Sequence, residues 1–127
     1  MVRTDRFEDV PDPGGLADRL RDFALSLPKT YEDEPWGHPV FKVGENRMFA
    51  SMSVEEDAVH LTVKLTPEER EIAYLLPYVS RAAYLGNWGW ITAEIADEES
   101  LEAGLEWLRE SYWLKAPKHL KSAAVRD

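Results

Sequence analysis

Cysteine is absent from the sequence, and its absence excludes several kinds of chemistry. The chain can form no disulfide framework, no thiolate metal site and no cysteine nucleophile. Long apolar runs are also missing, since no stretch approaches the roughly 18 consecutive apolar residues that a membrane-spanning helix needs. Residues 1–6 lead into polar sequence and lack the apolar core of a signal peptide. Together these features predict a soluble, cytoplasmic protein without a membrane partner.

Positive charge is scarce. The chain has 15 lysines and arginines against 24 aspartates and glutamates, which gives a formal charge of −9. Affinity for nucleic acid depends mainly on cations that neutralise phosphates, so this balance disfavours a general DNA-coating role. The acids concentrate between Glu8 and Glu34, whereas the C-terminal end is basic and contains Lys115, Lys118, Lys121 and Arg126. A local basic patch is therefore still compatible with the sequence.

The rest of the composition is that of an ordinary globular protein. Hydrophobic residues make up 44% and charged residues 31% of the 127 positions, enough for one hydrophobic core. We find no internal repeat, low-complexity segment or linker. The sequence predicts a single domain over residues 1–127, with its core from about residue 12 to 121.

Three helices are predicted from apolar spacing, caps and prolines. In the first, Asp12 can cap and Pro13 suits the first helical position, and Pro28 ends it; its apolar stripe is Leu16, Leu20, Phe23 and Leu27. Thr66 opens a capping box with proline at the next position, which predicts a short helix to about Leu75. Asp97 is the expected cap of the last helix, which Pro117 ends; its stripe is Leu101, Leu105, Leu108 and Tyr112.

Strand-like runs lie between these helices. The first three cover residues 38–43, 47–54 and 58–65, and their short connections predict an antiparallel meander. The acidic stretch 29–36 has no periodicity and is expected to be a turn. A further strand is predicted from Trp88 to Ile95, after an extended segment near residues 81–85. The order favours an α+β fold: an antiparallel sheet of about five strands, with the N- and C-terminal helices on one face.

A series of short motifs links this chain to a known family. The motifs are Leu27-Pro28, Glu32, the run Pro35-Trp36-Gly37-His38-Pro39-Val40-Phe41-Lys42-Val43, Met48-Phe49-Ala50, Val63-Lys64, Tyr84-Leu85-Gly86, Trp90, Ser111-Tyr112 and Ala116-Pro117-Lys118. Together, in this order and spacing, they closely resemble the MmcQ/YjbR family from about Leu16 to Leu120. Arg47 stands where the family usually has lysine, so the charge is retained.

The resemblance implies a frataxin-like (CyaY-like) fold, a twisted antiparallel sheet with helices covering one face. Family members are often labelled as DNA-binding. The resemblance supplies no catalytic residue and no cofactor. Frataxin-like iron binding would need an acidic ridge on the first helix and strand, and Asp18 and Asp22 alone make such a ridge thin.

The outer face of the sheet is the first candidate site. If Ile91 and Ile95 point toward the helices, Trp88 and Trp90 point away from them. The same alternation turns His60, Thr62 and Lys64 outward. Exposed tryptophans beside a histidine and a lysine resemble a stacking platform. The alternative is that these aromatic side chains serve only packing.

Cations and acids supply two weaker candidates. Lys42, Arg47 and Lys64, with Lys118 after the last helix, could form a shallow recess for a phosphate, a carboxylate or a nucleic-acid backbone. Ordinary solvent-exposed cations are the alternative. The acids of residues 32–34, beside Trp36 and His38, suggest a metal or general-acid site, for which a solvated acidic turn is the alternative. The three histidines lack ligand spacing, so no metal site is predicted.

The hypothesis that follows is a non-enzymatic binding domain that uses the open sheet face for a small planar or anionic ligand or a protein partner. The ligand contacts predicted for it are Trp36, His38, Lys42, Arg47, His60, Lys64, Trp88, Trp90 and Lys118. A DNA-binding role is the first alternative. A small enzyme that uses Glu32 with His38 is the second, although no catalytic residue and no cofactor are assigned.

Overall fold

The computed structural model describes residues 15–121. Its helices are α1 (Leu16–Ser26), α2 (Pro67–Ala73), α3 (Glu98–Lys115) and α4 (Lys118–Lys121). Its strands are β1 (Thr30–Asp33), β2 (Val40–Val43), β3 (Arg47–Glu55), β4 (Ala58–Lys64), β5 (Val79–Arg81) and β6 (Trp90–Ile95). A 3₁₀ turn, Gly86–Trp88, precedes β6. None of the helices within this range has both the length and the apolar character that a bilayer crossing requires.

The strands form one open antiparallel sheet in the order β1-β2-β3-β4-β6-β5. This confirms the predicted α+β class and the antiparallel meander, with six strands instead of about five. The additional strand is β1, in the stretch that was expected to be a turn. It pairs with β2 from Thr30 opposite Val43 to Asp33 opposite Val40. Its polar sequence suits a sheet edge, where charged side chains block unwanted pairing.

Helices α1 and α3 pack on the same face of the sheet, as predicted. Their apolar side chains and those of β2, β3, β4 and β6 form one core cluster. Gly104 of α3 marks the closest approach, because a Cβ atom there would lie 3.1 Å from Ile95, 3.3 Å from Leu61 and 3.4 Å from Leu20. The missing side chain lets α3 lie directly against the sheet and against α1.

Two of the helices begin at the capping residues that the sequence predicted, Thr66 and Asp97. At α2, Thr66 accepts a hydrogen bond from the backbone N–H of Glu69, whose carboxylate bonds back to Thr66. At α3, Asp97 and Ser100 form the equivalent pair. Helix α2 ends at Ala73, two residues earlier than predicted. The cap and proline predicted for α1, Asp12 and Pro13, lie outside the described residues.

The strand that was predicted to start at Trp88 starts at Trp90. Gly89, with φ of 91°, adopts the left-handed conformation that ends the 3₁₀ turn. Strand alternation therefore does not extend back to Trp88. It does hold within the sheet, where Leu61 and Ala93 lie in the core and their neighbours Thr62 and Thr92 belong to the opposite face.

Candidate functional site in a cleft on the open sheet face

The face of the sheet opposite α1 and α3 forms the floor of a cleft of about 830 Å³. Ser51, Thr62 and Thr92 lie opposite one another on β3, β4 and β6 and line this floor. The hydroxyl oxygens of Thr62 and Thr92 are 2.9 Å apart and share a hydrogen bond. A second row pairs Ser53 with His60. The floor therefore carries hydroxyl and imidazole groups, which can form hydrogen bonds with a ligand. The hydroxyl of Ser53 already donates to Glu55, which also lines the cleft, at 3.0 Å.

Aromatic side chains lie on two sides of the cleft. Trp36 and His38 come from the turn before β2, with their ring centroids 6.1 Å apart. Between them Gly37 has φ of 84°, a conformation that favours glycine. Tyr84 comes from the segment after β5, near the other end of the sheet. Trp36 is 66% exposed and Tyr84 is 98% exposed, so both rings are available to a ligand.

Three of the nine predicted contact residues line this cleft: Trp36, His38 and His60. The other six lie outside it: Lys42, Arg47, Lys64, Trp88, Trp90 and Lys118. The expected tryptophan platform does not form, because Trp90 is only 5% exposed and Trp88 projects from the 3₁₀ turn with 70% exposure. Ala82 donates to the carbonyl of Trp90, so the chain after β5 runs beside it.

The four cations of the predicted recess do not form one group. The ammonium of Lys42 is held by Asp33 at 2.9 Å and by Asn46 at 2.6 Å. The hydrogen bond from Lys42, then one from the Glu34 N–H, lowers the pKa of Asp33. Lys118 is exposed on α4. Arg47 and Lys64 both lie close enough to Lys115 for their charges to lower its pKa.

The residues of the enzymatic alternative are held in different environments. The Nε of Arg21, on α1, donates to the carboxylate of Glu32 at 2.7 Å. His38 instead lines the cleft beside Trp36. The structure therefore does not bring Glu32 and His38 together as an acid–base pair. Among residues 15–121 no group of three or more histidine, aspartate or glutamate side chains is arranged to hold a metal ion.

Several cleft residues were not identified from the sequence. Ser51 and Ser53 alternate with core-facing Ala50 and Met52, so extending the alternation argument to β3 would have found them. Strand alternation does not identify Tyr84, which the sequence singled out only as part of the Tyr84-Leu85-Gly86 motif. Tyr84 lies outside the strands, and its φ of 66° is a backbone conformation that non-glycine residues rarely adopt.

Comparisons with known proteins agree with this fold. A crystal structure of Deinococcus radiodurans protein DR2400, with the family domain DUF419, has a TM-score of 0.69 and 27% identity over 85% of this chain and 86% of that one. A Pseudomonas syringae protein has a TM-score of 0.60 and 18% identity over 77% of this chain and 97% of that one, and shows the fold alone. No curated protein shows significant similarity. The YjbR family model matches residues 25–114, and the chain therefore belongs to the YjbR family.

Proposed function

We propose that this chain is a non-catalytic binding domain that holds a small planar ring in the sheet-face cleft. The observation that carries the proposal is the pair of exposed aromatic side chains, Trp36 and Tyr84, beside a floor of hydroxyl and imidazole groups. The volume of about 830 Å³ lies within the range typical of small-molecule pockets.

The aromatic groups and the floor would recognise different parts of such a ligand. Stacking of a ring on an exposed aromatic side chain contributes about 1–3 kcal/mol where it has been measured for nucleic-acid bases. The hydroxyls of Ser51, Thr62 and Thr92 and the imidazole of His60 can satisfy both donors and acceptors at the ring edge. We therefore expect a heteroaromatic compound with N–H and carbonyl or ring-nitrogen groups, and not a plain hydrocarbon ring.

The conformation of Tyr84 supports a role in binding. A non-glycine residue in the left-handed region costs about 1–2 kcal/mol relative to an ordinary conformation. Its side chain is 98% exposed, so burial within the chain does not offset this cost. Glycine would be the more stable choice for the fold alone, whereas a tyrosine at this position supplies a ring at the cleft edge.

A thermal-shift screen with heteroaromatic compounds tests the proposal, because a ligand of the native state raises its melting temperature. We expect the shift produced by a binding compound to be lost in Trp36→Ala and in Tyr84→Gly. The unliganded Tyr84→Gly protein should melt no lower than the wild type, since glycine relieves the positive φ. The same compounds are then titrated by calorimetry to measure the dissociation constant for each variant.

Trp88→Ala is the matched control, since Trp88 is as exposed as Trp36 but lies outside the cleft. It should retain the full thermal shift. Two results would overturn the proposal. The first is that no heteroaromatic compound shifts the melting temperature. The second is that Trp88→Ala removes the shift while Trp36→Ala and Tyr84→Gly retain it, which would move the site back to the surface that the sequence favoured.

A further inference from the structure

A second recess lies away from the sheet-face cleft, where the turn after β2 meets the end of α3. Its volume is about 720 Å³, and its lining includes Lys29, Tyr31, Arg47 and His119. Gly44 and Pro117 form its contact point. Gly44 has φ of 63°, and a Cβ atom there would lie 3.3 Å from the Pro117 ring. A larger residue at position 44 would therefore separate the two segments that form the recess.

Cationic side chains outnumber carboxylates in the lining of this recess. Lys29 and Arg47 are cations and His119 carries an imidazole, against a single carboxylate, Glu45. The one hydrogen bond that Arg47 donates among the described residues goes to the carbonyl of Lys115, at 3.3 Å. A guanidinium has five N–H donors in a planar fork, so this bond leaves most of them for a ligand.

Positive charge accumulates at this end of the molecule. Burial lowers the pKa of Lys115, and the neighbouring charges of Lys64 and Arg47 lower it further. The ion pairs within residues 15–121 are Arg19–Glu98, Arg21–Glu32 and Lys42–Asp33. None of these pairs involves Lys29 or the group formed by Arg47, Lys64 and Lys115. Within the described part of the chain, carboxylates therefore do not neutralise this group by direct pairing.

Lys29 is held in an unfavourable backbone conformation. Its φ is 60°, and its carbonyl accepts a hydrogen bond from the N–H of Gly44 at 3.0 Å. That bond uses only backbone atoms, so glycine at position 29 would make it at a lower conformational cost. The fold itself therefore gives no reason for a lysine here, whereas a ligand in the recess would.

We propose that this recess binds the phosphate group of a small molecule, with Arg47 as the bidentate donor and Lys29 and His119 completing the contacts. A phosphate group offers three acceptor oxygens and up to two negative charges, which suits several donors around one recess. A carboxylate would leave part of that donor set unpaired. The small size of the ligand follows from the net charge of −9, which repels a long polyanion but acts less on a single group among local cations.

Inorganic phosphate and methyl phosphate are the probes, titrated into the full-length chain and followed by ¹⁵N–¹H correlation spectra. We expect saturable shifts of the amides at residues 29–31, 44–47 and 118–120, and no such shifts with sodium chloride at equal ionic strength. Arg47→Gln should weaken binding by about tenfold or more, as expected for loss of charge-assisted hydrogen bonds. Lys29→Gly should also weaken binding without loss of the fold, because it relieves the positive φ.

Arg19→Gln is the matched control, since it removes the same charge from the exposed ion pair that Arg19 on α1 forms with Glu98 on α3. Its phosphate affinity should equal that of the wild type. The proposal is overturned if Arg19→Gln weakens binding as much as Arg47→Gln, which would indicate a response to overall charge. It is also overturned if acetate binds as tightly as phosphate, or if a short DNA duplex binds these residues more tightly than either phosphate probe. Failure of the sheet-face cleft to bind a ring would leave these outcomes unchanged.

Discussion

At the residue scale, Ser111 shows how one buried hydroxyl can stabilise the sheet. The pairing of β2 with β3 shifts so that Phe41 lies opposite Ala50 and Lys42 opposite Met48, which leaves Phe49 without a direct partner. The buried hydroxyl of Ser111 donates to the carbonyl of Phe49 at 2.6 Å and accepts from the N–H of Lys64 at 2.9 Å. It thereby bridges β3 and β4 where their own pairing stops. These two hydrogen bonds account for the burial of the hydroxyl.

Removal of the Ser111 hydroxyl should lower the free energy of unfolding. Ser111→Ala leaves one backbone carbonyl and one backbone N–H without their partner, and each such group costs about 1–3 kcal/mol when it stays buried. We expect a clear fall in the free energy of unfolding, measured by urea denaturation. Ser26→Ala is the control, because its hydroxyl bonds to the carbonyl of Phe23 at an exposed position and should change stability by less than about 0.5 kcal/mol. Equal effects of the two substitutions would contradict the structural role of Ser111.

At the scale of the element, helix α3 begins with a cap whose strength depends on pH. The carboxylate of Asp97 accepts a hydrogen bond from the backbone N–H of Ser100 at 2.8 Å. This bond, followed by one from the Ser100 hydroxyl, lowers the pKa of Asp97. Folding therefore favours the ionised carboxylate. The contribution of the ionised Asp97 to the free energy of unfolding is complete above the ordinary aspartate pKa of about 4. It is lost as the pH falls through the lowered pKa of the folded state.

The melting temperatures of wild type and Asp97→Ala should therefore converge in acid. We expect a clear difference at pH 7 that narrows progressively below about pH 4, where the carboxylate of the unfolded chain binds a proton, and that is lost as the pH falls through the lowered pKa of the folded protein. Asp97→Asn supplies the control, because asparagine also caps helices but does not titrate. The difference between the asparagine and alanine variants should stay constant over the same range. A wild-type advantage over alanine that persists undiminished at pH 2 would refute the assignment.

Elements that depend on local chemistry could be predicted from the sequence, and those that depend on a distant partner could not. Thr66 and Asp97 begin helices because their side chains bond to a residue three positions ahead, which the sequence displays directly. Strand β1 has no apolar alternation of its own and becomes a strand only by pairing with β2. The alternation argument applies to His60 because that residue lies within β4. It fails for Trp88 because the left-handed Gly89 separates Trp88 from the start of β6.

At the scale of the whole molecule, the charge of −9 and the local cations have opposite effects on a polyanion. Non-specific DNA affinity comes from the number of phosphates that cations neutralise, and even dedicated DNA-binding proteins reach only about 10⁻⁴–10⁻⁶ M without sequence recognition. Arg47, Lys64 and Lys115 could contact few phosphates at once. Long-range repulsion by the acidic remainder, although screened at about 0.1 M salt, opposes even these contacts.

We therefore expect a generic DNA duplex to bind this chain weakly or not at all at about 0.1 M salt, with a dissociation constant above about 100 μM. Fluorescence anisotropy of a labelled duplex measures it, repeated over a series of salt concentrations. Any residual binding should have a shallow salt dependence, because the slope reports the number of neutralised phosphates. Arg47→Gln should remove that residual signal, whereas Arg19→Gln should not. Submicromolar affinity with a steep salt slope would contradict this expectation, and it would mean that the cations near the end of α3 outweigh the charge of the whole chain.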